Sequence, residues 1–197
     1  MRNLNKMANC CITTVVVAGP RGLCKELFAV MKALQEMAPP GLLANGYGSR
    51  WLGNLVTRLG GDWKTMDCRG RWDWAELTDR GVEFSYESAW APKLEVHELI
   101  ERRFPGLRVV YSAEEGCCDI YETNDVDGEF FTGNYVLYAE DSDQQYLSTL
   151  SEVITEVERI TGRTGLSTLG DCQEALDGWG DAHGRLVILE PVKTIND

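Results

Sequence analysis

Residues 10–18 read CCITTVVVA, a short run dominated by β-branched and other apolar side chains. Such a run favours a strand, because β-branched side chains suit an extended backbone, and its nearly continuous apolar character indicates that both faces are buried. Gly19 and Pro20 then interrupt the pattern, and proline suits the first turn of a helix. We therefore expect this run to form the central strand of a sheet and to be followed by a helix.

Outward from this run, the apolar spacing predicts alternating helices and strands as far as residue 113. The predicted elements are helices over 20–37 and 49–59, strands over 71–76 and 82–88, a helix over 93–104 and a strand over 107–113. Apart from the helix over 49–59, which we interpret as an insertion, the order is βαββαβ, the ferredoxin-like arrangement. Both long helices are expected on one face of the sheet.

The rest of the chain predicts an extra hairpin and a C-terminal extension. The predicted elements are strands over 117–123 and around 130–139, an amphipathic helix over 144–161, a short helix over 171–178 and a strand over 185–190. The sequence thus predicts an α+β fold with two parts. One is a ferredoxin-like domain over 7–140, and the other is a helix-helix-strand extension over 141–197, packed on the same domain.

Composition and charge exclude several classes of protein. Of 197 residues, 44% are hydrophobic and 25% charged, and the formal net charge is −12. This excess of acid opposes direct binding of nucleic acid or anionic membranes. No apolar stretch approaches the ~18 residues of a membrane span. The seven cysteines do not have the spacing of a zinc site, and we expect reduced thiols in a cytoplasmic protein. No catalytic or phosphate-binding motif occurs, so we expect no cofactor, no metal and no catalytic residues.

Acidic residues are concentrated in one part of the chain. From Val109 through Glu158 there are 13 Asp and Glu and no Lys, Arg or His. One interpretation is a docking face for a basic protein partner, and the other is an ordinary solvated surface. The residues expected to form the docking face are Asp119, Glu122, Glu129, Glu152 and Glu156.

A second candidate surface combines tryptophan with arginine over residues 62–80. Its members are Trp63, Arg69, Arg71, Trp72 and Trp74. Aromatic rings interleaved with basic side chains are typical of a stacking platform for nucleic-acid bases, although tryptophans at such positions also serve as core or edge cover. Strand alternation predicts that Trp72 and Trp74 share a face, and exposure of Trp72 or Trp74 beside Arg69 and Arg71 would favour the nucleic-acid interpretation.

Several stretches together resemble a known family. They are MANCCITTVVVAG at 7–19, GGDWK at 60–64, FSYESAWAP at 84–92 and FPGL at 104–107. Over roughly 7–140 the chain resembles the Api-like proteins of phages, plasmids and other mobile elements, which contain a ferredoxin-like domain. The resemblance implies that fold and a mobile-element context, and it implies no reaction and no active-site residues.

These observations leave three functional hypotheses. The first is a non-enzymatic accessory or interaction protein of a mobile element that binds a basic protein through its acidic face. The second is a nucleic-acid-binding module that uses the segment 62–80, and the third is an enzyme of unrecognised type, which an acidic pocket would favour. The sequence leaves the identity of the partner and the oligomeric state open.

Overall fold

The structure is a computed structural model that describes residues 10–37, 47–115, 120–140 and 144–195. Within these residues the chain is a mixed α+β protein with five helices and two sheets. It divides into two compact units, one extending to Asn124 and the other beginning at Asp125. We call these the first unit and the second unit.

The first unit is built on an antiparallel sheet. Its elements are β1 (Cys10–Ala18), α1 (Arg21–Glu36), α2 (Leu52–Arg58), β2 (Gly70–Leu77), β3 (Val82–Ala89), α3 (Leu94–Arg103), β4 (Arg108–Glu115) and β5 (Ile120–Thr123). The strands lie in the order β2-β3-β1-β4-β5. β1 pairs antiparallel with β3 on one side and with β4 on the other. Its expected central position is therefore confirmed.

The three helices of the first unit cover one face of the sheet. Cys11, Val15 and Val17 alternate along β1 and lie in one apolar cluster with Leu27 of α1 and Ile100 of α3. Val16, which points to the opposite face, is fully buried as well. Burial of each such aliphatic side chain contributes about 1.5–3 kcal/mol. The prediction that both long helices pack on one face is confirmed.

The strand β2 contains a bulge that separates its two tryptophans. Trp72 pairs with Tyr86 of β3, but the register shifts, so that Trp74 pairs with Ser85. Neighbouring residues of β3 point to opposite faces, and Trp72 and Trp74 therefore do the same. Trp72 has 0% exposure, whereas Trp74 is 40% exposed. The prediction that these two rings share a face is wrong, because simple alternation does not allow for an inserted residue.

The second unit has its own sheet and core. Its elements are β6 (Tyr135–Ala139), β7 (Gln145–Leu147), α4 (Leu150–Thr161), α5 (Leu169–His183), β8 (Val187–Pro191) and β9 (Lys193–Thr194). β6 pairs antiparallel with both β7 and β8. The core of this unit contains Leu137, Val153, Val157 and Leu176. Because β6 pairs with strands that follow it in the chain, the boundary expected at 140/141 falls inside this unit.

Both helices of the second unit begin at capping boxes, which the apolar spacing alone did not locate. Thr149 precedes α4, and its side chain and that of Glu152 each accept a hydrogen bond from the other's backbone N–H. The helix expected over 144–161 therefore begins only at Leu150, and Gln145–Leu147 is a strand. Thr168 and Asp171 form the same motif before α5, which extends to His183, beyond the predicted 171–178.

The bulge leads to a prediction about stability. Trp72→Ala should lower the free energy of unfolding by about 3–5 kcal/mol, because it removes a fully buried aromatic side chain. Trp74→Ala should lower it by less, because 40% of that side chain is already exposed to solvent. Denaturant unfolding followed by circular dichroism measures both. Equal losses for the two variants would show that the register of β2 is not the one described.

Candidate functional site

A pocket of about 770 Å³ lies at the end of the first unit's sheet where β1 and β2 begin and β3 ends. Tyr47, Trp51 and the segment 63–69 close its other sides. It is lined by Cys10, Tyr47, Trp51, Trp63, Met66, Asp67, Cys68, Arg69, Gly70, Arg71, Glu87, Ser88, Ala89 and Trp90. We call this the aromatic pocket, because four of its side chains are large aromatic rings.

Three of these rings contact one another in sequence. The ring centroids of Tyr47 and Trp51 are 4.9 Å apart, and those of Trp51 and Trp63 are 5.3 Å apart in an edge-on arrangement. Trp51 precedes α2, and its ring lies against Gly53, where a Cβ atom would come within 2.3 Å of the ring. A side chain at position 53 would thus displace the ring. Position 51 falls in the helix predicted over 49–59 and outside the candidate surface predicted over 62–80.

Trp90 completes the wall with an unusual backbone conformation. Its φ of 70° makes it the one non-glycine residue with positive φ among the described residues, and its side chain is 54% exposed. Such a conformation costs about 1–3 kcal/mol and occurs frequently at ligand sites. Two hydrogen bonds hold the turn: Ala91 N–H donates to Ala89 O at 2.9 Å, and Ser88 Oγ donates to Ala91 O at 2.8 Å.

The rim of the pocket carries two arginines with unused hydrogen-bonding groups. Arg69 and Arg71 are both exposed. Within the part of the chain that the structure describes, neither guanidinium forms an ion pair or a hydrogen bond. Glu87 stands directly across from Arg71 in the β2–β3 register, and Asp67 is bound to Lys93. A guanidinium offers up to five N–H donors, so this rim can hold an anionic group.

Lys93 fixes the segments that form the pocket. Its side chain is buried, and Nζ donates to Asp67 Oδ2 at 2.8 Å and to Ala89 O at 2.9 Å. Its backbone N–H donates to Tyr86 Oη at 2.8 Å, and the N–H of Asp67 donates to Glu95 Oε2 at the same distance. The beginning of α3 thus holds both the segment 62–69 and the end of β3 in place.

Behind Lys93 lies a buried polar group that is not part of the pocket lining. Tyr86 Oη and His97 Nε2 are 3.0 Å apart, and the rings of His97 and Tyr111 lie 5.2 Å apart. Burial raises the pKa of Tyr86 and lowers the pKa of His97 to about 3. His97 is therefore neutral near pH 7 and acts as a structural contact within the core.

The predicted aromatic and basic residues only partly come together. Trp63, Arg69 and Arg71 line the aromatic pocket, whereas Trp72 is buried in the core. Trp74 lies further along β2, on the sheet face that points away from the helices. Three rings that line the pocket, those of Tyr47, Trp51 and Trp90, come from outside the predicted segment 62–80.

The predicted acidic docking residues have several different environments. Asp119 lies outside the described residues. Glu122 is half-buried in the first unit, where its Oε1 accepts a hydrogen bond from Tyr111 Oη at 3.3 Å. Glu129 belongs to the second unit and is exposed. A common face for these residues stays a prediction.

Glu152 and Glu156 of α4 have structural roles. Glu152 belongs to the capping box of α4. Glu156 accepts hydrogen bonds from Arg159 and Gln145, and the bond from Arg159 is the main reason that the pKa of Glu156 is lowered. Neither carboxylate is simply presented to a partner.

The acidic excess divides unequally between the two units. Residues 1–124 contain 15 Lys and Arg and 16 Asp and Glu, whereas residues 125–197 contain 4 and 15. The aromatic pocket therefore belongs to a unit that is close to neutral. The net charge of the whole chain is not a measure of the charge around this pocket.

One thiol of the pocket lining is held in its protonated form. No histidine lies among the lining residues, and burial raises the pKa of the Cys68 thiol, whose Sγ donates to Trp63 O at 3.7 Å. A protonated thiol is a poor nucleophile. Among the described residues there is no group of His, Cys, Asp or Glu that could hold a metal ion.

The neutral His97 leads to a prediction about pH. Between pH about 6.5 and about 3 the unfolded chain binds a proton that the folded chain does not, so the free energy of unfolding falls as the pH falls, by up to about 1.4 kcal/mol per pH unit. His97→Gln should flatten this slope, and His183→Gln, at the exposed other histidine, should retain it. Denaturant unfolding at a series of pH values measures the slopes. An unchanged slope in His97→Gln would contradict the prediction.

The comparison of slopes isolates His97 from the carboxylates. Arg80 lowers the pKa of Glu83 chiefly through a hydrogen bond, so protonation of Glu83 also weakens the fold in acid. This contribution is the same in both histidine variants and cancels when their slopes are subtracted.

Neither the protein-family models nor the curated proteins include a match to this chain. Among solved structures, the chain is similar to one described as an unknown protein from Galdieria sulphuraria, with 12% identity, a TM-score of 0.23, and 93% of this chain and 98% of that chain covered. A second, described as a "putative glycine cleavage system transcriptional repressor", has 13% identity, a TM-score of 0.24, and coverages of 94% and 98%.

Similarities this weak do not establish a shared fold or function, so neither structure informs the site. A separate finding concerns membranes: in the described part of the chain, no helix combines the length and the apolar character needed to cross a bilayer.

Proposed function

We propose that this chain is a non-enzymatic binding protein whose first unit binds a nucleotide in the aromatic pocket. The proposal rests on one observation, that aromatic rings and arginine side chains lie together at this pocket. Four aromatic rings line the pocket, and beside them stand Arg69 and Arg71, whose guanidinium groups have no partner among the described residues. A nucleotide presents the two matching groups, a planar ring and a phosphate.

The size and energetics of the pocket agree with such a ligand. Its volume of about 770 Å³ lies within the range of ~300–1,000 Å³ that is usual for ligand pockets. Stacking of a base on an aromatic ring is worth about 1–3 kcal/mol. Arginine binds phosphate through two parallel N–H donors. The net charge of −12 does not oppose this ligand, because the acidic excess belongs to the second unit.

The broader context is also a proposal. The element order βαββαβ, with β1 between β3 and β4, supports a ferredoxin-like fold for the first unit. The resemblance to the Api-like proteins supports an accessory protein of a mobile genetic element, acting in the cytoplasm. In that context the protein would bind a nucleotide-containing ligand through its first unit and a protein partner through its second.

Substitution of the rim arginines tests nucleotide binding. Arg69→Gln and Arg71→Gln should each weaken the binding of a nucleoside monophosphate by about tenfold, the effect of removing one charged hydrogen-bond donor. Arg58→Gln should leave it unchanged, because Arg58 is exposed at the end of α2 and does not line the pocket. Isothermal titration calorimetry with the four nucleoside monophosphates measures the affinities. If none of them binds the wild-type protein, the proposal is wrong.

A second candidate function concerns the second unit. It contains 15 acidic residues and only 4 Lys and Arg, and this charge balance favours a basic protein as partner. Such an interaction would give the accessory protein two binding activities, one for each unit. The alternative is a surface that serves only solubility.

Charge reversal tests this second candidate. Glu129→Lys together with Asp181→Lys should reduce the capture of basic proteins from a host lysate, because both residues are exposed in the second unit. Capture should also weaken as ionic strength rises above ~0.15 M, where the Debye length is about 8 Å. Glu76→Lys, exposed in the first unit, is the matched control. An unchanged set of captured proteins, identified by mass spectrometry, would leave the acidic surface with no role in docking.

A further inference from the structure

We infer that the nucleotide site continues from the aromatic pocket along β2 to Trp74, and that its ligand is single-stranded nucleic acid. This inference rests on the proposed function and specifies its ligand. It extends the site beyond the pocket by one stacking position on the surface of the sheet.

The bulge in β2 creates this second position. Arg71 pairs with Glu87 and Trp74 pairs with Ser85, so both side chains lie on the sheet face that points away from the helices. Ser85 and Glu87 are two residues apart, which separates Arg71 from Trp74 by about 6.6–6.8 Å along the strand. Without the bulge, Trp74 would point into the core as Trp72 does. Bulges of this kind often redirect a side chain toward a functional surface.

A third arginine lies between the pocket and Trp74. The guanidinium of Arg50 donates a hydrogen bond to the backbone oxygen of Asp73, the residue at the bulge. The N–H of Trp72 donates to the carbonyl of Arg50 at 3.0 Å, which fixes Arg50 beside the strand. Arg69 and Arg71 stand at the pocket itself.

This arrangement alternates ring and cation in the order that a single strand requires. A nucleic-acid strand alternates bases with phosphates, and proteins that bind it provide aromatic rings together with a line of positive charge. Here the rings of the pocket, then Arg71, then Trp74 follow the edge strand β2 of the unit. A site for one free nucleotide would need neither Trp74 nor Arg50.

The route follows the edge of the sheet because the central strands do not offer a stacking surface. On the same sheet face, β1 presents Ile12 and Thr14, and Glu83 of β3 is buried and paired with Arg80. None of these is aromatic. Glu87 of β3 lies opposite Arg71 at the pocket and its carboxylate repels phosphate, so the attractive groups are the arginines along β2.

The test compares a mononucleotide with a single strand. Thymidine monophosphate and a fluorescent oligothymidylate long enough to span the pocket and Trp74 are titrated against the wild-type protein and the variants Trp74→Ala and Ile12→Ala. Ile12 is the matched control, since it lies on the same sheet face with the same 40% exposure as Trp74. Circular dichroism confirms that each variant is folded.

We expect Trp74→Ala to weaken the oligothymidylate about tenfold to a hundredfold, the loss of one stacked base, and to leave the mononucleotide unchanged. Ile12→Ala should change neither. Arg50→Gln should lower the slope of log affinity against log salt for the oligothymidylate by about 0.7, because one phosphate contact is lost.

The outcomes separate the inference from the proposed function. If the mononucleotide binds but Trp74→Ala leaves oligothymidylate affinity unchanged, the extension to Trp74 is wrong and the nucleotide pocket stands. If Ile12→Ala causes the same loss as Trp74→Ala, the ligand crosses the sheet and the route along β2 is wrong. If neither ligand binds the wild-type protein, the proposed function and this inference both fail.

Discussion

The pairing of β1 with β3 and β4 is the interaction on which the first unit depends. β1 has a strand on each side, and its Val15, Val16 and Val17 are completely buried. Pairing on both edges satisfies its backbone N–H and C=O groups, and the helices cover one of its two faces. The positions of the other strands follow from this one, because β2 pairs with β3 and β5 pairs with β4.

The same pairing positions the aromatic pocket. The register joins Cys10 to Ala89 and Gly70 to Ser88, so that the beginnings of β1 and β2 and the end of β3 meet at one end of the sheet. The chain turns sharply there at Trp90, and Lys93 ties that turn to the segment 62–69. A cation buried in this way is supported only while its partners remain in place. The shape of the pocket is therefore coupled to the beginning of α3, although Lys93 itself does not line it.

The distribution of charge gives the two units different chemical characters. A near-neutral unit with arginines beside aromatic rings suits a phosphate-bearing ligand, and a strongly acidic unit suits a basic partner or simply confers solubility. Summed over both units, the charges give a net negative charge that opposes the binding of nucleic acid. The two-unit division thus changes the interpretation of the composition, because electrostatic attraction depends on the charges near the ligand and is screened within about 8–10 Å.

Elements whose signal is local were predictable from the sequence. The continuous apolar run at 10–18 specified a central strand, and the helical spacing and the turns gave the order of elements through residue 113. Three features depend on contacts between elements. The bulge between Trp72 and Trp74 depends on the register with β3, and the strand at 145–147 forms because β6 pairs with it. The aromatic pocket unites Trp51, Arg71 and Trp90, which are distant in the chain and adjacent only when strands are paired. The periodicity of apolar residues predicts which face of its own helix or strand a side chain occupies. Contacts between different elements depend on how those elements pack.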